Sequence, residues 1–197
     1  METDGFEIHR SWLDPRTIPD MSNVKTEVIF NDNPTAKTDK KRRQATVRTA
    51  WTEQIRRRLA AEYPLLFPSS AILIESLPGC QRQAAHCDYV PSRELAEAKP
   101  EEVPLLFLLA IEAGTRLDVW PGSHRKGCKP CSKRTVHLDA GDAVFFRADL
   151  VHAGSEYEKA NRRLHIYLDS PAVPRVPNRT WIIYKHGDAD MQRRILE

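Results

Sequence analysis

The sequence predicts a mainly β protein, a sandwich or small barrel covered by one helix. Short apolar segments of strand length follow one another from residue 71 onward, with glycine, proline and polar turns between them. Residues 45–62 instead carry apolar side chains at four-residue steps, the helical pattern. The 14 prolines and 8 glycines favour many turns over long helices.

The first 44 residues predict an extension ahead of the main domain. Residues 1–22 show little periodicity, which indicates an arm or loop. Residues 26–32 suit one short strand, and residues 33–44 are polar and basic, as expected of an exposed loop. We therefore expect an N-terminal arm and loop at 1–44 and a single β domain at 45–197.

The helical pattern at 45–62 rests on one apolar stripe. Val47, Trp51, Ile55 and Leu59 are four residues apart and fall on one face of a helix. Arginines and glutamates occupy the other faces. This segment predicts the helix that covers the β domain.

The strand predictions are short segments with alternating or continuous apolar residues. They are 71–77, 83–90, 104–112, 115–120, 134–139, 143–148 and 162–169, with 181–184 as an eighth candidate. Between them, residues 92–99 suit a short helix or loop insert capped by Ser92.

His86 and Asp88 form the first half of a predicted metal site. Side chains two positions apart on a strand point the same way, so an imidazole and a carboxylate converge. His152, at the end of a later predicted strand where we expect a loop to begin, supplies a third ligand. Two imidazoles and one carboxylate leave coordination positions open, which suits ferrous iron, whereas structural zinc prefers four closed ligands.

A family resemblance follows from these residues in their order along the chain. The sequence resembles the Fe(II)- and 2-oxoglutarate-dependent oxygenases, and within them the phytanoyl-CoA dioxygenase-like branch. The residues that carry it are "HCD" at 86–88, "VWPGSHRKG" at 119–127, "LDAGDAVFF" at 138–146, His152, and the arginine of "NRRLHIYL". The resemblance spans roughly residues 70–170.

The resemblance implies a double-stranded β-helix, the jelly-roll barrel also found in cupins. It implies Fe(II) and 2-oxoglutarate as cofactors and O₂ as cosubstrate. The expected reaction hydroxylates or oxidatively demethylates a substrate C–H bond and releases succinate and CO₂. An arginine near the last core strand is expected to hold the distal carboxylate of 2-oxoglutarate.

Two adjacent arginines compete for that carboxylate. Strand alternation places Arg163, His165 and Tyr167 on one face and Arg162 on the other, among apolar residues. The polar face suits a pocket wall, so we favour Arg163, with His165 and Tyr167 beside it and Arg162 as the alternative. The family often has a hydroxyl residue two positions after the arginine, and His165 departs from that pattern.

The segment "WPGSHRKG" supplies the candidate substrate contacts. In the family this stretch is a loop beside the active site, so the resemblance implies that Trp120 or His124 touches substrate. A structural turn, in which Gly122 adopts a positive φ, explains the same residues equally well.

A second metal site is an alternative for the basic loop at 125–134. Cys128 and Cys131 have Cys-x-x-Cys spacing, and His124 and His137 flank them, as in zinc sites. A solvated basic loop is the simpler interpretation. Two rival functions therefore stand beside the oxygenase: a non-catalytic cupin-like module that binds a metal or ligand, and a zinc-stabilised nucleic-acid-binding domain.

Composition narrows the setting more than the substrate. The net charge of +3 permits an anionic partner without requiring one. No apolar run reaches the length of a membrane span, and the acidic N-terminus has no signal-peptide pattern, so we expect an intracellular protein with reduced cysteines. A small molecule, a protein side chain and a modified nucleic acid all stay open as substrates, and the oligomeric state stays open too.

Overall fold

The computed structural model describes residues 1, 3–29, 39–90, 92–126, 133–176 and 181–182. Within these ranges the strands, in chain order, are β1 (Phe6–His9), β2 (Glu27–Val28), β3 (Arg42–Val47), β4 (Phe67–Pro68), β5 (Ala71–Ser76), β6 (His86–Cys87), β7 (Leu105–Ala110), β8 (Thr115–Val119), β9 (Arg134–Leu138), β10 (Ala143–Arg147), β11 (His152–Gly154), β12 (Asn161–Asp169) and β13 (Trp181–Ile182). The helices are α1 (Ala50–Glu62), α2 (Arg93–Glu97) and α3 (Ser123–Lys126), with 3₁₀ turns at Pro15–Thr17 and Pro100–Glu102.

The strands form two antiparallel sheets. The larger sheet has the order β1-β10-β7-β12-β5-β3-β2, and β4 also pairs with β12. The smaller sheet has the order β13-β6-β11-β8-β9. The chain crosses repeatedly between the two sheets, since β7 and β8 are consecutive in sequence but belong to different sheets.

An apolar core joins the inner faces of the two sheets. Leu106, Leu108 and Phe146 of the larger sheet pack with Leu117 and Val119 of the smaller one. The ring of Phe146 in this core lies 4.8 Å from that of His152, so the candidate site borders the core.

Helix α1 covers the outer face of the larger sheet. Its buried Ile55 and Leu59 pack into a cluster with Leu73, Phe107 and Leu164. Strand β7, near the centre of this sheet, is buried at all six positions and therefore on both faces. A mainly β double-stranded β-helix with helical cover is therefore confirmed.

The predicted helix start at residue 45 is wrong. Residues Arg42–Val47 form β3, which pairs with β5, and α1 begins at Ala50. Thr49 caps the helix. Its hydroxyl accepts from Thr52 N at 3.2 Å, and the hydroxyl of Thr52 accepts from Thr49 N at 2.9 Å. Val47 is buried as the stripe predicted, but it reaches the core from a strand.

The predicted arm and loop at 1–44 is partly wrong, because its described parts contribute to the larger sheet. Strand β1 pairs with β10, aligning Phe6 with Phe146, and β2 pairs with β3. The predicted strand at 26–32 is present as Glu27–Val28, and residues 30–38 lie outside the described residues. Strand β1 lacks sequence periodicity because the edge of β10 determines its conformation.

Two strand predictions near the candidate site differ from the structure. The predicted strand 83–90 is reduced to His86–Cys87, although Gln83 N and Tyr89 N continue the pairing irregularly toward Gly154 O and Ala148 O. The expected loop after His152 is instead strand β11. Of the candidate 181–184, Trp181–Ile182 is a strand, and residues 183–184 lie outside the described part.

The remaining predicted elements match in position. Strands β5, β7, β8, β9, β10 and β12 lie within two residues of their predicted bounds. Ser92 caps α2, accepting from Leu95 N at 3.2 Å. In the described ranges, no helix has both the length and the apolar character needed to cross a bilayer.

Candidate functional site

Three potential metal ligands converge between the two sheets. The ligand atoms of His86, Asp88 and His152 all lie within 4.8 Å of one another. All three residues are buried, with relative exposures of 9%, 8% and 5%. Buried carboxylates and imidazoles at this separation surround a volume the size of a single cation.

Strand pairing brings the two histidines together. His86 and His152 are direct Cα partners across the antiparallel strands β6 and β11, and their ring centroids are 4.4 Å apart. Asp88 follows His86 by two residues and returns to the same side of the chain. The pairing register, rather than any local motif, therefore fixes the distance between ligands 66 residues apart in sequence.

Backbone carbonyls orient both imidazoles. Nδ1 of His86 lies 2.7 Å from Ala84 O, and Nδ1 of His152 lies 3.0 Å from Leu150 O. A neutral ring that donates its Nδ1–H to a carbonyl presents the Nε2 lone pair on its other side. The two Nε2 atoms lie 3.6 and 3.8 Å from Asp88 Oδ1, so both lone pairs are directed toward the carboxylate and the space beside it. The donor set and its orientation fit a divalent metal.

Electrostatics favour the protonation states that a metal requires. Burial raises the pKa of Asp88, but His152, His86 and His165 and a hydrogen bond from Tyr167 outweigh burial, and the net pKa is lowered. Burial lowers the pKa of His152 to about 4. Near neutral pH the group thus holds an ionised carboxylate beside a neutral His152, as cation binding needs.

A polar network supports Asp88 from the larger sheet. Tyr167 of β12 lies near Asp88, and its hydroxyl lowers the pKa of that carboxyl. The guanidinium of Arg175 lies 4.1 Å from the centroid of the Tyr167 ring, and Asp169 holds Arg175 through a 2.8 Å contact from Nε. The hydroxyl of Tyr89 donates to Asp169 at 2.5 Å. The sequence predicted that Tyr167 binds the cosubstrate. In the structure this residue also lies beside Asp88, one of the potential metal ligands.

The two adjacent arginines of β12 face opposite sides. Arg163 is 2% exposed and points between the sheets, where Nη1 donates to Ser76 Oγ at 3.0 Å. Arg162 lies on the outer face and pairs with Glu75 at 2.6 Å and Glu112 at 3.2 Å. Arg162 already has two carboxylate partners, so the geometry favours Arg163 as the residue that meets a ligand carboxylate.

His165 is near Arg163 and near Asp88 and His86, whose charges all act on its imidazole. Burial lowers its pKa to about 4, Asp88 acts in the opposite direction, and Arg163 adds to the lowering. Its ring centroid is 4.6 Å from that of Tyr167. Burial likewise lowers the pKa of Arg163 to about 10, which leaves the guanidinium charged near neutral pH. The predicted set Arg163, His165 and Tyr167 therefore shares one wall of the site.

Three residues near the site have no clear signal in the sequence. Arg42 of β3 is buried and donates to two backbone carbonyls. One is Gln81 O, ahead of β6, at 3.0 Å, and the other is Ser155 O, directly after β11, at 2.9 Å. Gln83 accepts from Gly154 N at 2.9 Å. A Cβ built on Gly154 would lie 2.4 Å from Gln83 Oε1 and 2.8 Å from Arg42 Nη1, so a larger residue there would displace the ends of these two side chains.

The two predicted substrate contacts have different surroundings. Trp120 packs with Cys87, Val151 and Ala153, which alternate along their strands with His86 and His152. It therefore belongs to the opposite face of the smaller sheet, and this placement gives no support to a substrate contact.

His124 belongs to α3, close to the N-terminal segment. His124 and Leu150 both lie beside Gly5, where an added Cβ would come within 2.7 Å of His124 Nδ1. Gly122 has the positive φ, 74°, that the turn interpretation expects. Cys128 and Cys131 of the alternative zinc site lie outside the described residues, and His137 is exposed on β9. The substrate role of His124 stays a prediction.

The fold of this chain, unlike its sequence, matches known proteins. No protein-family model matches the sequence, and no curated protein matches it either. Solved structures do match. HygX from Streptomyces hygroscopicus, crystallised with nickel and 2-oxoglutarate bound, has a TM-score of 0.65 at 10% identity, covering 86% of this chain and 84% of its own.

Two further structures give the same result. A prolyl-4-hydroxylase from Pseudomonas putida has a TM-score of 0.60 at 12% identity, covering 86% of this chain and 94% of its own. The epimerase SnoN, in complex with Fe3+, alpha ketoglutarate and nogalamycin RO, has a TM-score of 0.56 at 16% identity, covering 87% and 83%. The chain has the fold of the 2-oxoglutarate-dependent oxygenases. The likeness to this oxygenase fold does not single out the phytanoyl-CoA dioxygenase-like branch, which stays a prediction.

Proposed function

We propose that this protein is an Fe(II)- and 2-oxoglutarate-dependent oxygenase that hydroxylates or oxidatively demethylates a substrate C–H bond. The observation that carries the proposal is the donor set of His86, Asp88 and His152, in which backbone carbonyls hold both imidazoles with Nε2 toward the carboxylate. Two nitrogens and one oxygen leave positions open for a cosubstrate and O₂. Iron bound there would couple decarboxylation of 2-oxoglutarate to oxidation of the substrate.

The remaining residues act by binding and orientation. Arg163 is the buried cation positioned to hold the distal carboxylate of 2-oxoglutarate, because Arg162 is already paired. The neutral His165 lies near both that arginine and Asp88, so it would contact a cosubstrate that bridges them. The Tyr167 hydroxyl favours the ionised form of Asp88. Burial of the ligands excludes bulk water from the reacting groups.

The substrate class follows only from analogy with structures of the same fold. HygX has been crystallised with hygromycin B bound, and SnoN with nogalamycin RO. We therefore place small organic molecules first among the three candidate classes, ahead of protein side chains and modified nucleic acids. We therefore propose that the three substrate classes be tested in this order.

Succinate formation tests the proposed function. Purified protein is incubated with Fe(II), 2-oxoglutarate and pools of each substrate class, and His86→Ala serves as the control. Substrate-dependent succinate release that the control lacks is the expected result. If the wild type binds metal and 2-oxoglutarate but releases no succinate above the control with any pool, the non-catalytic cupin-like alternative is favoured.

A further inference from the structure

Two buried arginines share one hydroxyl beside the ligand group. Arg42 of β3 and Arg163 of β12 flank β5, and both side chains reach Ser76 at its end. Nη1 of Arg42 lies 3.1 Å from Ser76 Oγ, and Nη1 of Arg163 lies 3.0 Å from the same atom. The relative exposures are 2% for each arginine and 0% for Ser76. The Ser76 hydroxyl therefore lies within hydrogen-bond distance of both guanidiniums.

The two guanidiniums lack a counter-charge in the described part of the chain. Neither Arg42 nor Arg163 forms an ion pair with a described carboxylate, whereas the neighbouring Arg162 forms two. Burial lowers the pKa of both, and the charge of Arg42 lowers that of Arg163 further. Two buried like charges are costly unless an anion neutralises them, so an anion bound beside Arg163 would be stabilised.

The Ser76 hydroxyl can donate one further hydrogen bond. A serine oxygen accepts through two lone pairs and donates one proton. Both lone pairs of Ser76 are directed to guanidinium N–H groups, and the described residues give its proton no acceptor. Two cationic donors also polarise the O–H group, which strengthens the hydrogen bond it offers to an anion.

Hydrogen bonds hold the guanidinium of Arg42 in place. Its Nη2 donates to Gln81 O at 3.0 Å and to Ser155 O at 2.9 Å. With Nη1 on Ser76, the guanidinium is held on three sides. It therefore acts on an anion through Ser76 and through its charge, as a positioning residue.

We propose that Ser76 donates the hydroxyl hydrogen bond that shares the distal carboxylate of 2-oxoglutarate with Arg163, and that Arg42 positions Ser76 for this contact. The assignment rests on the proposed function. It also accounts for His165, which stands where the family often has a hydroxyl residue. In this chain the neighbouring strand β5 supplies the hydroxyl.

The test compares two keto acids that differ only at the distal end. 2-Oxopentanoate has the keto-acid head of 2-oxoglutarate and a methyl group in place of the distal carboxylate. Both are titrated calorimetrically into Mn(II)-loaded wild type, Ser76→Ala, Ser76→Cys and Arg42→Met. The matched control is Arg43→Met, because Arg43 lies on the other face of β3, where Nε donates to Thr26 Oγ1 at 3.0 Å.

A donor to a charged group is lost in Ser76→Ala, so the dissociation constant for 2-oxoglutarate should rise about tenfold or more. That for 2-oxopentanoate should stay within about twofold, because this keto acid has no distal carboxylate to accept a hydrogen bond from Ser76. Ser76→Cys, with a weak donor of similar size, should show the same selectivity, as should Arg42→Met. Arg43→Met should match the wild type for both ligands.

Each contrary result has a distinct meaning. Equal weakening of both keto acids in Ser76→Ala and Ser76→Cys would show a general structural role and overturn the assignment, as would an unchanged affinity for 2-oxoglutarate. If Arg42→Met does not fold, the serine variants decide alone. Wild type that binds neither keto acid would overturn the proposed function itself.

Discussion

His86 and His152 face each other across β6 and β11 as direct strand partners, with their rings 4.4 Å apart and each Nδ1 bound to a carbonyl two residues earlier in the chain. The same local geometry thus orients both imidazoles. Because the carbonyls belong to the backbone, side-chain substitutions around the site leave the tautomers in place.

Removal of the carboxylate ligand should abolish metal binding with little change in the fold. We expect Asp88→Ala to weaken Mn(II) affinity by more than about 100-fold, since even partners outside the coordination sphere are worth 10–100-fold. Asp149→Ala is the control, because Asp149 pairs with Arg147 at 2.9 Å and not with the histidines. Calorimetric titration measures both. Near-wild-type Mn(II) binding by Asp88→Ala would exclude Asp88 as a ligand.

The paired arginines give a test of which face holds the cosubstrate. Arg163→Ala should raise the apparent KM for 2-oxoglutarate by more than about tenfold while metal affinity changes little. Arg163→Lys should recover part of the loss, because it keeps the charge and loses the fork.

Arg162→Ala is the comparison for the same experiment. It breaks a partly exposed ion pair with Glu112 and leaves the buried Glu75 without its guanidinium, so it should lower the free energy of unfolding by about 2 kcal/mol and leave the KM near wild type. The opposite pattern, with cosubstrate binding lost in Arg162→Ala and retained in Arg163→Ala, would assign the carboxylate to the outer face.

Tyr167 is expected to affect the metal more than the fold. Tyr167→Phe removes the hydroxyl that lowers the pKa of Asp88, so Mn(II) affinity should fall about tenfold, the usual effect of losing a partner that supports a ligand. Tyr89→Phe removes a hydroxyl that bonds to Asp169 and leaves Asp88 untouched. Metal affinity that falls equally in both variants would point to the whole network rather than to the Tyr167 hydroxyl.

Acid should destabilise the metal-free protein through its buried histidines. The pKa of His165 is lowered from 6.5 to about 4 by burial, so below pH 6.5 the unfolded state binds a proton that the folded state does not. The contribution of His165 to stability is therefore complete above pH 6.5 and falls by up to about 3 kcal/mol as the pH drops toward 4.

Urea unfolding of metal-free protein between pH 4 and 6.5 measures this effect. His165→Asn should flatten the pH dependence in part, because His152 still contributes. Substitution of the exposed His137 with Asn should leave the slope as in the wild type. An unchanged slope in His165→Asn would mean that this imidazole is not buried in its neutral form.

Sequence patterns predicted the parts of the site that depend on alternation within one strand. The opposite faces of Arg162 and Arg163 follow from a period of two, and β12 is long and apolar enough to make its assignment firm. The pairing of His86 with His152 could only be inferred from the family resemblance, because a register between distant segments leaves no local pattern.

Arg42 and Ser76 show what the sequence could not provide. Arg42 lies in a basic run that has the composition of a surface loop, yet its side chain is 2% exposed. Ser76 ends an apolar strand, where a serine usually marks the start of a turn. Only their position as Cα partners across β3 and β5 brings the two together. The short β11 was missed for a related reason, since Ala153 and Gly154 have low strand propensity and the strands on either side hold them extended.

The proposed ligand site is divided between the two sheets. The three potential metal ligands come with the smaller sheet, and Arg163 with Ser76 belongs to the larger one. A molecule bound to groups of both sheets would connect the two sheets and oppose their separation. Amide hydrogens of β6, β11, β5 and β12 should then exchange more slowly together when metal and 2-oxoglutarate are both present, whereas metal alone should protect only β6 and β11.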